Sequence, residues 1–267
     1  MKPKHLRIKH KDRWGVVLLI ISLIIISIGA TFYFYLRSDS SKFDKNTYCP
    51  RDGESAITVV LFDRSDALNV VQQEALRRHL DRVKGDLDQH EKLAIYLIDD
   101  TKNQLLRPFF EMCSPGKGDD VSPLIKSPAL AKKIWNERFS NKVDAVIVEM
   151  IKPNTAPHSP IMESIQAVAI RHFGDKRISQ KRLVIASDMI QNTREHSQFR
   201  GVMPFNDFKQ TAYFRHVLAH LNGAEVKLFY INFDGGRGIS GPKHLEFWQH
   251  YFLEMGGKLV RFVPLEG

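Results

Sequence analysis

Four oxygen-bearing side chains stand where chemistry could be done. Asp63 and Ser65 follow the apolar run Ile57-Thr58-Val59-Val60-Leu61-Phe62, Asp188 follows Leu183-Val184-Ile185-Ala186-Ser187, and Ser159 closes the loop that begins at Pro153. Two carboxylates and two hydroxyls form an all-oxygen set, the kind a hard divalent cation such as Mg²⁺ or Mn²⁺ prefers. Such an ion keeps several waters or accepts an acidic group from outside, because it rarely has a complete protein cage. A strand-tip Asp could also be the nucleophile of a metal-dependent, phosphatase-like hydrolase. That chemistry usually calls for a second Asp two residues on, where this chain has Ser65. Each residue has an ordinary alternative: Asp63 as a helix cap, Ser65 and Ser159 as capping hydroxyls, Asp188 as an ion-pair partner of Arg64.

Other patterns are weaker. His158 beside Ser159 suggests a His–Ser pair, but adjacent side chains point apart. Gly235-Gly236-Arg237-Gly238 follows a strand-like run and could cradle phosphate. It lacks both the dinucleotide spacing and the Lys-Ser/Thr ending of a P-loop. His216 and His220 stand four apart on an expected helix without the Glu that a zinc-binding helix of this kind carries after its first His.

The elements that must position the four oxygens follow from periodicity. Residues 57–62, 93–98 and 183–186 read as buried strands, being short, apolar and rich in β-branched residues, and 225–232 and 258–264 read as further strands. The connection from 98 to a strand over 105–110 is too short for a crossover, so that pair is antiparallel. Apolar residues at helical spacing predict helices over 68–87, 129–151, 207–221 and 242–255. The second of these breaks near Ser140-Asn141, and its Val143–Val148 portion has a rival reading as a strand. A helix following Ser159 has Ser159 as its N-cap and Pro160 at its first position. Strands alternating with helices predict an α/β fold, with a doubly wound, mostly parallel sheet flanked by helices. In such sheets ligands bind at the carboxyl ends of the strands, where Asp63 and Asp188 lie.

Over residues 55–266 this arrangement resembles the von Willebrand factor type A domain. That family carries Asp-x-Ser-x-Ser after its first strand, a Thr in a later loop and an Asp after its fourth strand. Asp63-Arg64-Ser65-Asp66-Ala67 matches the first two motif positions and has Ala67 at the third; Ser159 stands in place of the Thr, and Ser187-Asp188 matches the later Ser-Asp. The resemblance implies a doubly wound sheet with one antiparallel edge strand. It also implies a non-enzymatic protein-binding role, and a degenerate metal-ion-dependent adhesion site at Asp63, Ser65, Ser159 and Asp188.

The N-terminus sets the compartment. From Trp14 to Leu36 no residue is charged, a span long enough to cross a ~30 Å hydrocarbon core. Trp14 opens it and Phe32 to Tyr35 close it, as interfacial rings do. Lys2, Lys4, Arg7, Lys9, Lys11 and Arg13 precede it, which predicts a cytoplasmic N-terminus and a single pass through the inner (plasma) membrane. The expected organisation is a basic tail at 1–13, a transmembrane helix at 14–36, a tether at 37–55 and the α/β domain at 56–267, outside the cytoplasm in the periplasm. A cleaved signal peptide is the rival reading, with a shorter apolar core than this one. Outside the cytoplasm, Cys49 and Cys113 suggest one disulfide; the alternative is two unlinked core residues.

The formal net charge of +9 is concentrated before the apolar span, and no basic-aromatic stripe points to nucleic acid. The expectation is therefore a membrane-anchored protein-interaction module with a protein partner, belonging to an envelope-associated assembly. The alternatives are the hydrolase using Asp63 and a purely structural subunit of a secretion or conjugation apparatus. A reporter active only outside the cytoplasm, fused after Gly267, should be active, and the same reporter fused at Arg13 should be silent. The reverse pattern overturns both the compartment and the reason for expecting a disulfide.

Overall fold

The run Ala56–Asp63 (β1) is buried along its whole length. A strand buried on both faces must lie inside a sheet covered on both sides. In the computed structural model it does, with β2 (Lys92–Ile98) on one side and β4 (Gln180–Ser187) on the other, both parallel to it. The structure describes residues 11–40, 43–98, 107–118, 127–152, 154, 156–232, 239 and 241–265. The glycine-rich segment Gly235–Gly238 lies outside the described residues, as do residues 99–106, which include the connection after β2 and the start of the expected strand 105–110.

The six strands take the order β3-β2-β1-β4-β5-β6, with β3 at Phe110–Cys113, β5 at Glu225–Ile231 and β6 at Lys258–Leu265. Every pairing is parallel except β2–β3, so the sheet is mixed with one antiparallel edge, as the alternation of elements requires. The third strand lies a few residues later than the expected 105–110. Its pairing starts at Phe110 against Ile95.

Side chains of β1 alternate between two cores. Ile57, Val59 and Leu61 join Ile161, Ile165, Phe208, Trp248 and Phe252 on one face. Val60 and Phe62 join Leu76, Leu80, Val83, Phe139, Val143 and Ile147 on the other. Apart from Phe139 and Phe208, the helices supplying these residues are α2 (Val70–Gly85), α4 (Asn141–Met150), α5 (Ile161–Val168) and α8 (Pro242–Glu254). Asn69 and Gln72 form a reciprocal cap at the start of α2, so Asp63 is not its cap.

Two helices differ from expectation. The span 129–151 is α3 (Pro128–Ile134), a π-helical turn at Trp135–Ser140, then α4; the expected break at Ser140-Asn141 is where α-helical bonding resumes. The single helix expected over 207–221 is instead α6 (Phe205–Phe208) and α7 (Ala212–His216). Thr211 ends one and restarts the next: its hydroxyl donates to Phe208 O and accepts from Phe214 N. His220 therefore lies beyond the helix, and the expected pairing of His216 and His220 on one helical face is lost.

The chain forms two compact units, Met1–Asp44 and Lys45–Gly267. In the first, α1 (Lys11–Ser40) contains Trp14–Tyr33, with mean hydropathy 2.7. It is the one helix among the described residues long and apolar enough to cross a membrane. In the second, the latter half of the expected tether is fastened to the sheet. Cys49 and Cys113 are disulfide-bonded with Cα atoms 4.9 Å apart, and Cys113 N donates to Thr47 O at 2.8 Å. Lys92 bridges Glu54 and Glu111 at 2.5 and 3.1 Å. Cys113 is the last residue of β3, not part of the loop after it.

The crosslink closes a 64-residue separation, which in the chain-entropy picture stabilises by about 4 kcal/mol. Cys49→Ala/Cys113→Ala should therefore cost about 2–4 kcal/mol in urea unfolding. The native chain treated with reductant should move the same way. An unchanged midpoint would show that the segment around Cys49 is held by its hydrogen bonds alone.

Candidate functional site

Parallel pairing of β1 with β4 puts Phe62 opposite Ala186, so the next residues, Asp63 and Ser187, meet at the strand tips. Ser187 Oγ donates to Asp63 Oδ2 at 2.7 Å, and Ser159 Oγ donates to the same oxygen at 2.8 Å. Asp63 Oδ1 accepts Ser65 N at 2.9 Å, and the Ser65 hydroxyl adds a further bond. Asp63 is only 4% exposed. Burial raises its pKa above the ordinary carboxylate value, and the donors from Ser187, Ser65 and Ser159 pull the other way. Among the described residues no cationic side chain forms an ion pair with Asp63.

Ser159 is carried there by the loop after β4. Ser159 N donates to Asn192 O at 2.8 Å and Asn192 N returns the bond at 3.0 Å, a one-residue ladder between the two loops. Asn192 Nδ2 also donates to Pro157 O. Ser159 is not a helix cap, contrary to the expectation. The helix starts at Ile161 with Pro160 at the cap position and no side-chain cap of its own. The first-turn Met162 N–H donates instead to Gln191 Oε1 at 2.9 Å, freeing the Ser159 hydroxyl for Asp63.

Asp188 Oδ1 accepts Ile190 N at 2.9 Å, and the Asp188 charge is felt by Tyr230. The structure thus brings Asp63, Ser65 and Ser159 together, with Ser187 as the fourth member and Asp188 one residue beyond. Ser187 was legible only as the residue before Asp188. Its signal was its place opposite Asp63 in a parallel pair, which requires the register.

The loop after Asp188 is tightly built. Met189, fully buried, has φ 61°, a left-handed conformation that non-glycine residues seldom adopt. Its N–H is taken by Ser187 Oγ and its carbonyl by Trp248 Nε1 at 2.9 Å. His244 Nε2 lies 3.1 Å from the same carbonyl and 3.2 Å from Gln198 Oε1, while Tyr230 Oη lies 2.9 Å from His244 Nδ1. Gln191 Nε2 bonds Glu163 and Tyr213, and Tyr213 Oη donates to Glu163 at 2.6 Å. Helices α5 and α8 thereby lock the loop that presents Ser159, Ser187 and Asp188.

The oxygens around Asp63 fit a hard divalent ion by donor type. A desolvated carboxylate with hydroxyl neighbours and no cation lacks the positive charge that such an ion supplies. Asp63, Ser65, Ser159 and Asp188 would hold it, with water or an outside carboxylate in place of the hydroxyl that Ala67 lacks. Among the described residues no three His, Cys, Asp or Glu side chains converge, so hydroxyls would carry much of the coordination.

Fold and rim define an α/β domain with a doubly wound sheet and a buried carboxylate–hydroxyl cluster at its central strand tips. No family model matches the chain, and no curated protein matches it. Solved structures similar to it include an aerotolerance-related membrane protein from Bacteroides fragilis NCTC 9343 with multiple mutations to serines. That pair is 10% identical at TM-score 0.35, covering 79% of this chain and 92% of the other. Conserved hypothetical protein BatB from Bacteroides thetaiotaomicron is 11% identical at TM-score 0.37, covering 78% and 91%. Proximal thread matrix protein 1 from the mussel byssus is 12% identical at TM-score 0.39, covering 79% and 41%.

Burial lowers the pKa of His244 to about 4, and does the same to His172, whose Nε2 lies 2.7 Å from Tyr96 Oη. The unfolded chain protonates both near 6.5, so between 6.5 and 4 it binds more protons than the folded chain. Stability is therefore complete above 6.5 and is lost as pH falls toward 4, by on the order of 3 kcal/mol for each histidine. His244→Gln should remove about half of that slope in urea unfolding across this window. A slope equal to wild type would mean that His244 does not stay neutral in the fold.

Proposed function

We propose that this chain is a membrane-anchored, non-enzymatic protein-interaction module. Its domain resembles the von Willebrand factor type A domain, and its docking point is the rim around Asp63. The helix Trp14–Tyr33 is the anchor, the basic residues before it keep the N-terminus in the cytoplasm, and the domain works on the other side. A partner carboxylate completes the shell of a Mg²⁺ or Mn²⁺ ion held by Asp63, Ser65, Ser159 and Asp188. The observation that carries this reading is Asp63 itself, a buried carboxylate at two strand tips, surrounded by hydroxyls and lacking a cation. The hydrolase alternative is disfavoured because Ser65 stands where its second Asp would be.

One observation favours a second reading, the scaffold subunit. Both Asp63 oxygens already accept protein hydrogen bonds, so the cluster can act as an internal tie between β1, β4 and the Ser159 loop without any ion.

Titration of Mg²⁺ or Mn²⁺ into the full chain in detergent separates the two. On the docking reading the metal raises the melting temperature of wild type by several degrees. Ser65→Ala and Asp188→Ala, chosen because they spare the Asp63–Ser187 tie, shrink that gain. Crosslinking in native membranes then retains a partner in wild type and loses it in Asp63→Ala. A wild type indifferent to metal removes the ion; a partner retained in every variant supports the scaffold.

A further inference from the structure

A groove of about 500 Å³ lies between one face of α8 and the segment that enters α6. From α8 it is lined by Lys243, Glu246, Phe247 and His250, at the i, i+3, i+4 and i+7 positions that share a helical face. The rest of the lining is residues 202–206. Gly201, at φ 116°, turns the chain out of the 3₁₀ turn Gln198–Arg200 into that segment, and Pro204 takes the cap position of α6. The base of the groove is aromatic. Phe205 and Phe247 are buried with their rings edge to face at 5.7 Å, and the His250 imidazole stacks on Phe205 at 6.0 Å. Met203, also in the lining, is exposed, and its thioether is a soft surface suited to a further ring.

Two charges of opposite sign stand over this base, one helical turn apart. Among the described residues no ion pair engages Lys243. It stands in the first turn of α8, which holds no acid, so its ammonium adds to the positive end of the helix dipole. A carboxylate supplied from outside relieves both. Glu246 meets only His250, at 3.9 Å, a contact that is ionic only when the ring is protonated. Residues three apart on a helix are neighbours, with Cβ atoms about 5–6 Å apart. An occupant with a positive and a negative group close together can therefore reach both side chains. The volume falls within the roughly 300–1,000 Å³ of small-ligand sites, which combine apolar walls with a few polar groups.

We propose that this groove binds an aromatic zwitterion, with its ring on Phe205, Phe247 and Met203, its carboxylate on Lys243 and its ammonium on Glu246. The chemistry is common to a free aromatic amino acid and to a dipeptide with both ends free. A plain anion is a poorer fit because it faces Glu246, and a plain cation because it faces Lys243. The proposal uses neither Asp63 nor a metal ion, so it stands or falls apart from the docking reading.

The test is a saturation-transfer NMR titration of the full chain in detergent, with L-phenylalanine and L-alanyl-L-phenylalanine as probes. At least one of them should bind wild type saturably; the tighter of the two assigns the amino acid or the dipeptide, and equal affinity assigns both. 3-Phenylpropionate lacks the ammonium, phenethylamine lacks the carboxylate and L-alanine lacks the ring, so each should bind severalfold more weakly. Lys243→Gln/Glu246→Gln should raise the dissociation constant of the bound probe at least tenfold, whereas Lys243→Arg should retain binding. Both side chains are exposed, so the melting temperature of each variant should match wild type. Saturable binding of neither probe overturns the proposal. So does an affinity unchanged in the double Gln variant, or N-acetylphenylalanine amide binding as tightly as the charged probes.

Discussion

The constraint on which the rim depends is the parallel pairing of β1 with β4. Two parallel strands end side by side, and their next residues face the same small volume. Here those residues are Asp63 and Ser187, and both are buried. A carboxylate placed there must find hydrogen-bond donors or a cation, because leaving it unpaired in a dry site costs several kcal/mol. The fold answers with three donors from segments far apart in sequence: Ser65 two residues on, Ser159 at a separation of 96 and Ser187 at 124. The knot fixes the Asp63 loop, the Ser159 loop and the β4 tip in one arrangement.

That arrangement is reinforced from behind. Met189 holds a left-handed backbone conformation in a fully buried place, at a cost of order 1–3 kcal/mol. The cost is offset by Trp248 and His244 on its carbonyl and Ser187 on its N–H. Gln191 then ties the same loop to α5 through Met162 N and Glu163. The rim is therefore built on helices and strands that hold it in one arrangement.

Much of this was legible in the sequence where the physics is local. Continuous apolar runs mark β1, β2, β4 and β5 because strands covered on both faces cannot alternate. The antiparallel edge follows from a connection too short to cross over, and Asp63 follows from its place at a strand tip. Long-range demands were not legible. Ser159 has the local signature of a cap, yet its hydroxyl is drawn to Asp63 and Gln191 caps the helix instead. Phe214, Leu218 and Leu221 have helical spacing, but Thr211 divides the segment and Gln166 takes the carbonyls of His216 and Leu218. Ser187 becomes visible only once the β1–β4 register is known.

The two edges of the sheet are treated differently, and the difference has a physical consequence. An unpaired edge exposes backbone donors and acceptors that any extended chain can use. On the β3 side, Thr47 O accepts Cys113 N and a disulfide holds the covering segment in place. On the β6 side no further strand pairs among the described residues; the edge carries a bulge at Val260, the charges of Lys258 and Arg261, and Pro264 near its end. Bulges, charges and proline are the devices that discourage indiscriminate strand addition. The same bulge sets Arg261 beside Lys227, so a feature that protects the edge also concentrates positive charge next to it.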